Sequence, residues 1–405
     1  MMESPVPGEP LRIAMGGRAL LTPLTGIGQY AAHLAQEFVQ RGHDLRLFYG
    51  THWSSSIATG QATGQAAAPV GTIAARSPRT VVASMAKRLA RKYVPGVYRF
   101  MPHVEQFRFT SGVARKTTPH VYHDPNFIPF RFDGPTVITA HDVSWVRHPE
   151  YHPQHRLALL RANFERALQQ SDRIIVVSEF VRNELHACFS VRPDKVKVVY
   201  NGVSPRFTPQ TAAATQAVLA RHGLEHGSYF AAVGTLEPRK NLHTALAAHA
   251  ALPHVTRMAF PLVLIGVEGW LTKSLHESLG ASLIDGTVRK LGYVPDDELP
   301  LLTAGARALV YPSVYEGFGL PVLEAMAAGV PVLCSTAQAL LEVAGDAAIA
   351  CDPADVQGFT DAMHALIDDR MLRTTLIGRG LARARRFSWQ RTADATLDVY
   401  REAIA

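Results

Sequence analysis

The sequence predicts an α/β protein made of two copies of one nucleotide-fold plan, each a parallel sheet with helices on both faces. Three observations predict it. Short apolar runs alternate with helical stretches along the chain, the pattern of a parallel sheet covered on both sides. A strand, glycine loop and helix at "LRIAMGGRALLTPLTGIGQYAAHLAQEF" recur as the same grammar at "SYFAAVGTLEPRKNLHTALAAHAAL" (Ser228 to Leu252), and nothing repeats at a fixed short period. Finally, 405 residues at 47% hydrophobic and 19% charged can bury large cores but exceed one ordinary domain.

Taken in order, "LRIAM" (Leu11 to Met15) is the first strand, followed by a glycine-bearing loop. In "GQYAAHLAQEFVQRG" the apolar residues Tyr30, Leu34, Phe38 and Val39 fall at helical spacing, and Gly42 closes the helix. "LRLFY" (Leu45 to Tyr49) is the next strand, and the aperiodic Ser/Ala/Gly/Thr/Gln-rich residues 54–80 read as a mobile loop. The segment "SMAKRLARKYVPGVYRF" (Ser84 to Phe100) sets Val82, Met85, Leu89 and Tyr93 against Lys87, Arg88, Arg91 and Lys92. Such a basic amphipathic helix suits an anionic membrane surface or, equally, an ordinary core-facing helix. Further strands are expected at Pro135 to Asp142, Asp172 to Ser178 and Val196 to Val203. Proline, serine and threonine then interrupt the pattern at "SPRFTPQ" (Ser204 to Gln210), which places a domain boundary between residues 205 and 206.

In the second half, "MAFPLVLIGV" (Met258 to Val267) reads as a core strand and is too short to span a bilayer. "ARALVYPS" (Ala306 to Ser313) is a buried strand, and "PVLEAMAAG" (Pro321 to Gly329) a helix opened by proline and closed by glycine. Between them lies a glycine turn. Glu316 sits on that turn, and Glu324 in the helix's first turns, beside free N–H groups that favour an anion. The last segment, Phe387 to Ile404, is a serine-capped helix expected to pack back on the first domain. The domains are then 1–205, with 387–405 returning to it, and 206–386.

The formal charge of +7 and pI near 9.4 suit an anionic ligand or surface. Cys188, Cys334 and Cys351 show neither metal-ligand spacing nor a disulfide framework, which fits a reducing cytoplasm. The N-terminus lacks the basic-then-apolar layout of a secretory signal. The basic residues accompany no nucleic-acid-binding module. No Asp-x-Asp pair stands in the sequence, and neither a metal nor another cofactor is expected.

Gly26-Ile-Gly28-Gln-Tyr-Ala31 formally matches a dinucleotide fingerprint, but the glycines lie well past the strand end and the following strand lacks the ribose-holding acid. A loop facing a phosphate or acceptor across a cleft fits better. In "GTLEPRKN", Gly234 ends a strand and Arg239 and Lys240 precede a helix. A bidentate guanidinium and a point-charge ammonium over helix N–H groups form a pyrophosphate site in its simplest terms. His141 and Asp142 end a strand at "ITAHDVSW" and would face the same cleft, although a strand-end histidine is more often structural. A glycoside hydrolase could also use two glutamates, and a non-catalytic sugar-nucleotide sensor or an NAD-dependent epimerase would share the fold plan.

"YEGFGLPVLEAMAAG" resembles the E-x7-E segment of the retaining glycosyltransferases of family four, with "GTLEPRKN", "HDVSW", "VSEFVRNEL", "VYNGV", "LGYVPDDEL" and "FSWQRTADATLDVYREAI" in the expected order. The resemblance implies the GT-B fold, two Rossmann-like domains facing across a cleft, and a metal-independent enzyme. It implies that Glu316 binds donor-sugar hydroxyls within the turn Gly317, Phe318, Gly319 and Leu320, and that Glu324 accepts from the ribose. Arg239 and Lys240 would hold the diphosphate, His141 would touch the sugar, Gly26 and Gly28 would close on the phosphate, and Tyr293 and Val294 would line the base. "HDVSWVRHPEYHP" and "HDPNFIPF" are similar to bacterial enzymes that add mannose or rhamnose to O-antigen or exopolysaccharide chains. The expected partners are therefore a nucleotide sugar, GDP-mannose ahead of GDP-rhamnose and UDP- or dTDP-sugars, and a lipid-linked or oligosaccharide acceptor. Peripheral contact with the inner membrane face is also expected.

Overall fold

A computed structural model of the protein describes residues 9–21, 24, 26–57, 97–114, 118–270 and 273–405. Of the expected loop 54–80, residues 58–80 lie outside the described residues, as do residues 84–96 of the basic segment, while Ser54 ends a short strand and does not open the loop. The chain divides into two compact units, one reaching residue 136 and including 404–405, the other comprising 137–403.

In the first unit, β1 (Arg12–Gly16), β2 (Asp44–Phe48), β3 (Trp53–Ser54) and β4 (Val121–Asp124) lie in the order β3-β2-β1-β4. β1 runs parallel to β2 and β4, and the short β3 pairs antiparallel at the edge. The helix Gly26–Gln40 joins β1 to β2 and buries Tyr30, Leu34 and Phe38, residues four apart on one stripe. Val39, expected on that stripe, is 48% exposed, because one residue turns the helix by roughly 100°. Gly42, at φ +78, ends the helix as expected, with the N–H of His43 returning to Phe38 and that of Gly42 to Val39. A second helix, Val97–Ala114, carries Pro102 near its start and was not read from the sequence. Its Phe109 packs with Phe48, Tyr122, Phe130 and Phe132 into an aromatic core.

In the second unit, β5 (Thr136–Ala140), β6 (Arg173–Val176) and β7 (Val196–Val198) pair in parallel. A six-stranded sheet follows, built from β8 (Phe230–Val233), β9 (Leu262–Ile265), β10 (Val288–Gly292), β11 (Ala308–Tyr311), β12 (Val332–Ser335) and β13 (Ala348–Cys351), with the all-parallel order β10-β9-β8-β11-β12-β13. The central strands β9, β11 and β12 are buried at every residue, as helices on both faces require. Several expected strands are shorter than read, two of them markedly. Met258 and Ala259 end a helix, His254–Ala259, so only Leu262–Ile265 is extended. β7 stops at Val198, and Gly202 beyond it stands where a side chain would lie 2.1 Å from the Trp389 backbone nitrogen.

That close approach docks the final helix, Trp389–Ile404, whose Ser388 hydroxyl accepts from the Arg391 N–H at 3.2 Å. Its Thr392 hydroxyl donates to the Tyr200 carbonyl at 2.7 Å, and Glu402 pairs with Lys197 of β7 and Arg173 of β6. Among the described residues no helix is long and apolar enough to cross a membrane.

Candidate active site

The site is built at the carboxyl ends of β8 and β11, where an open parallel sheet leaves loops free to converge. After β8 the chain turns at Gly234, whose φ of +143 a side chain would strain. Gly266, after β9, would place a Cβ 2.0 Å from the Gly234 carbonyl oxygen, so only bare backbone fits between these two strand ends. A short 3-10 turn, Pro238–Lys240, then leads through Asn241 into the helix Leu242–Ala250. Asn241 holds the left-handed conformation because its amide donates to the carbonyls of Pro312 and Pro353 at 3.1 and 2.7 Å. The turn therefore aims Arg239 and Lys240 towards the end of β11.

From β11 the loop runs through Glu316 to Gly319, whose positive φ of +103 caps the helix Leu320–Ala327. Glu316 is buried and bridges both cations. One carboxylate oxygen accepts from Arg239 at 2.8 Å, and the other from Lys240 at 2.7 Å and from the Tyr311 hydroxyl at 3.0 Å. Burial alone would raise the Glu316 pKa, but the charges of Arg239 and Lys240 outweigh it and hold it down at about 2. Arg239 also donates to Glu237 at 2.7 Å and to the Tyr315 carbonyl at 2.8 Å. Lys240 reaches the Tyr311 hydroxyl at 2.5 Å. Despite burial, the carboxylates of Glu316, Glu237 and Asp142 raise the Arg239 pKa further, so the cation persists at any working pH.

His141 and Asp142 follow β5 and stand against the same turn. A Cβ on Gly317 would lie 1.9 Å from the His141 carbonyl oxygen and 3.2 Å from the Asp142 Cβ. Ser178 donates to the Gly317 carbonyl at 2.7 Å, and the buried Phe318 ring packs with Tyr200 and Phe387. The structure thus brings His141, Asp142, Arg239, Lys240, Glu316, Gly317 and Phe318 into one neighbourhood, with Gly234 and Tyr311 lining a small cleft beside Lys240.

Glu324 differs from its expectation. It is the fifth residue of its helix, past the open N–H groups of the first turn, and its carboxylate takes no hydrogen bond or ion pair among the described residues. Burial, with the charge of Asp296, instead pushes its pKa up to about 7. Leu320 opens the helix and Pro321 is its second residue, one place later than read. Beyond β10, the Tyr293 ring is 49% exposed while Val294 is buried. Gly26 and Gly28 begin the helix Gly26–Gln40 in the first unit, and a Cβ on Gly28 would meet the Ala19 carbonyl oxygen at 3.0 Å. Among the described residues no group of three or more His, Cys, Asp or Glu side chains is arranged to hold a metal.

Sequence reasoning missed Glu237 and Tyr311, the counter-charge and the hydroxyl that hold the two cations. Glu237 had a visible signal, an acid two residues before Arg239 across a proline. Tyr311 had none, since it reads as the last apolar residue of a strand.

Two Rossmann-like parallel-sheet domains, with a braced cation pair at the carboxyl end of one sheet, define a protein of the GT-B type. Solved structures share that fold: the sucrose-phosphate synthase of Thermosynechococcus elongatus (18% identity, TM-score 0.70, 96% of this chain and 98% of that one) and the Anabaena protein HepE in complex with UDP-glucose (16%, 0.70, 96% and 98%). The model for glycosyltransferase family 4 matches residues 24–207, and that for glycosyl transferases group 1 matches residues 220–383. The Escherichia coli O-antigen chain mannosyltransferase B is 34% identical over 395 residues, 96% of this chain and 100% of its own. The chain belongs to glycosyltransferase family four and is a glycosyltransferase.

Proposed function

We propose that the protein transfers mannose from GDP-mannose, with retention of configuration, to a lipid-linked or oligosaccharide acceptor in bacterial surface polysaccharide synthesis. The likeness to an O-antigen chain mannosyltransferase over nearly the whole chain carries the sugar and the acceptor class. The braced pair of Arg239 and Lys240 at the end of β8 supports the diphosphate end of the donor.

In this reading residues 206–386 bind the donor and residues 1–205, with 387–405, serve the acceptor. Arg239 and Lys240 oppose the charge that grows on the leaving diphosphate as the bond to the anomeric carbon breaks. Glu316 and the backbone from Gly317 to Leu320 orient the sugar hydroxyls, with His141 against the sugar. Glu324 accepts from the ribose, Tyr293 and Val294 lie at the base, and Gly26 and Gly28 approach the phosphate. The acceptor oxygen attacks on the face the diphosphate leaves, and its proton passes to the departing phosphate oxygen. Catalysis then rests on positioning and charge stabilisation. The protein works in the cytoplasm, and the segment Ser84 to Phe100 meets the anionic inner membrane face.

Calorimetric titration with GDP, UDP, ADP and dTDP in chelator-containing buffer tests the donor. Selective GDP binding followed by turnover of GDP-mannose is expected. Selective binding of another nucleotide would overturn the donor, and binding of none would overturn the site.

A further inference from the structure

The helix Glu179–Cys188 begins just past β6, and side chains take its first three N–H groups. Ser178 caps it, the hydroxyl oxygen accepting from the Val181 N–H at 3.1 Å. The N–H groups of Glu179 and Phe180 go to the two carboxylate oxygens of Glu342 at 2.7 and 2.9 Å. A cap is ordinarily supplied from within the first turn, but this second one comes from the helix Gln338–Ala344. Arg383 holds that helix in turn, donating to the carbonyls of Glu342 and Val343 at 2.5 and 2.8 Å.

The transfer reaction, as read above, gives none of these groups a role, yet the cap touches the site. A hydroxyl has one proton, and Ser178 gives it to the Gly317 carbonyl at 2.7 Å. Both residues are buried. On another side Gly317 has no room for a Cβ beside the His141 carbonyl oxygen, so the peptide is confined by the chain after β5 and after β6. The Gly317–Phe318 peptide is trans, and in a trans peptide the N–H points opposite to the C=O. With the carbonyl turned to Ser178, the Phe318 N–H is aimed the other way. It takes no hydrogen bond among the described residues, although Phe318 is buried. A buried N–H without a partner is rare, and this one belongs to the turn after Glu316.

We propose that Ser178 is a positioning residue for the donor sugar: by holding the Gly317 carbonyl it aims the Phe318 N–H at a sugar hydroxyl, and Glu342 holds the helix end that carries Ser178. The inference rests on the reading of the Gly317 to Leu320 turn as the part of the site that meets the sugar. Its effect falls on the sugar and not on the diphosphate. Arg239 and Lys240 are braced by Glu237 and Glu316, with no contact to Ser178.

The test compares GDP with GDP-mannose by calorimetry, with thermal unfolding recorded for each variant. Ser178→Ala should weaken GDP-mannose binding by about two- to tenfold, the worth of one hydrogen bond, and leave GDP within about twofold of the unmodified protein. Glu342→Ala should show the same selective loss. The double variant should bind no more weakly than Ser178→Ala, because Glu342 acts through Ser178. Glu342→Gln keeps one acceptor oxygen and should lose less than Glu342→Ala; it carries the comparison if Ser178→Ala does not fold. Equal losses for the two ligands, no loss for either, or losses that multiply in the double variant would overturn the inference. Failure of the unmodified protein to bind GDP-mannose would overturn the donor reading, and the inference with it.

Discussion

Glu316 Oε2 lies 2.8 Å from Nη1 of Arg239, a contact between residues 77 apart in sequence. It ties the loop after β11 to the turn after β8. The second oxygen of the same carboxylate takes Lys240, so one acid orients both cations.

Removing that acid should be costly twice over. Glu316→Ala leaves Arg239 with Glu237 and the Tyr315 carbonyl and Lys240 with only a phenol, and breaking a buried ion pair typically costs about 3–5 kcal/mol. Urea unfolding should show a loss of that order, with turnover reduced by orders of magnitude. Arg239→Ala and Lys240→Ala should also cut turnover by orders of magnitude while the protein stays folded. Near-normal rates in either would remove the phosphate assignment.

Much of this site was legible in the sequence because glycine and proline mark sharp turns where strands end. "GTLEPRKN" and "YEGFGLP" announce two loops on one sheet edge, and the charges they carry had to face something. The helix Gly26–Gln40 was legible for a similar reason, since Tyr30, Leu34 and Phe38 repeat at its period. What was hidden is pairing across distance. The Glu342 carboxylate accepts the N–H groups of Glu179 and Phe180 at 2.7 and 2.9 Å, and no local pattern links residues over 160 positions apart. The Ser144 to His152 contact spans only eight residues, yet it depends on two short helical turns whose direction the sequence does not specify. Glu324 failed differently. Its place in the helix was right, but burial, not the helix terminus, decides its charge.

Gly317 should tolerate no side chain. A methyl group there would lie 1.9 Å from the His141 carbonyl oxygen, and backbone cannot move aside as a flexible side chain can. Gly317→Ala should therefore separate Asp142 from the Glu316 turn, destabilising the protein by about 1–3 kcal/mol, as overpacking does. Thermal unfolding and initial rates measure it, and wild-type values for both would show that the two segments are not held together.

Activity should survive a chelator. The described residues hold no cluster of three or more metal-ligating side chains, and Arg239 with Lys240 already supplies the positive charge that a divalent ion would bring to a diphosphate. Rates measured in excess EDTA should match those in untreated buffer. A loss restored by magnesium or manganese would contradict this picture of the site.

Glu324 gives stability and donor binding opposite responses to pH. Its pKa in the folded chain is about 7 against an ordinary 4.5, so between those values the native state binds more protons than the unfolded one. Stability must then fall as pH rises through that window, by an amount on the order of 3 kcal/mol at most. Below 4.5 the penalty is absent, and above 7 it is complete. Glu324→Gln should flatten that decline in urea unfolding between pH 5 and 7.5. A ribose that donates to the carboxylate prefers its ionised form, so nucleotide affinity should instead strengthen as pH rises through 7, and Glu324→Gln should remove that dependence as well. An affinity that stays level from pH 6 to 8 in the unmodified protein would separate Glu324 from the nucleotide.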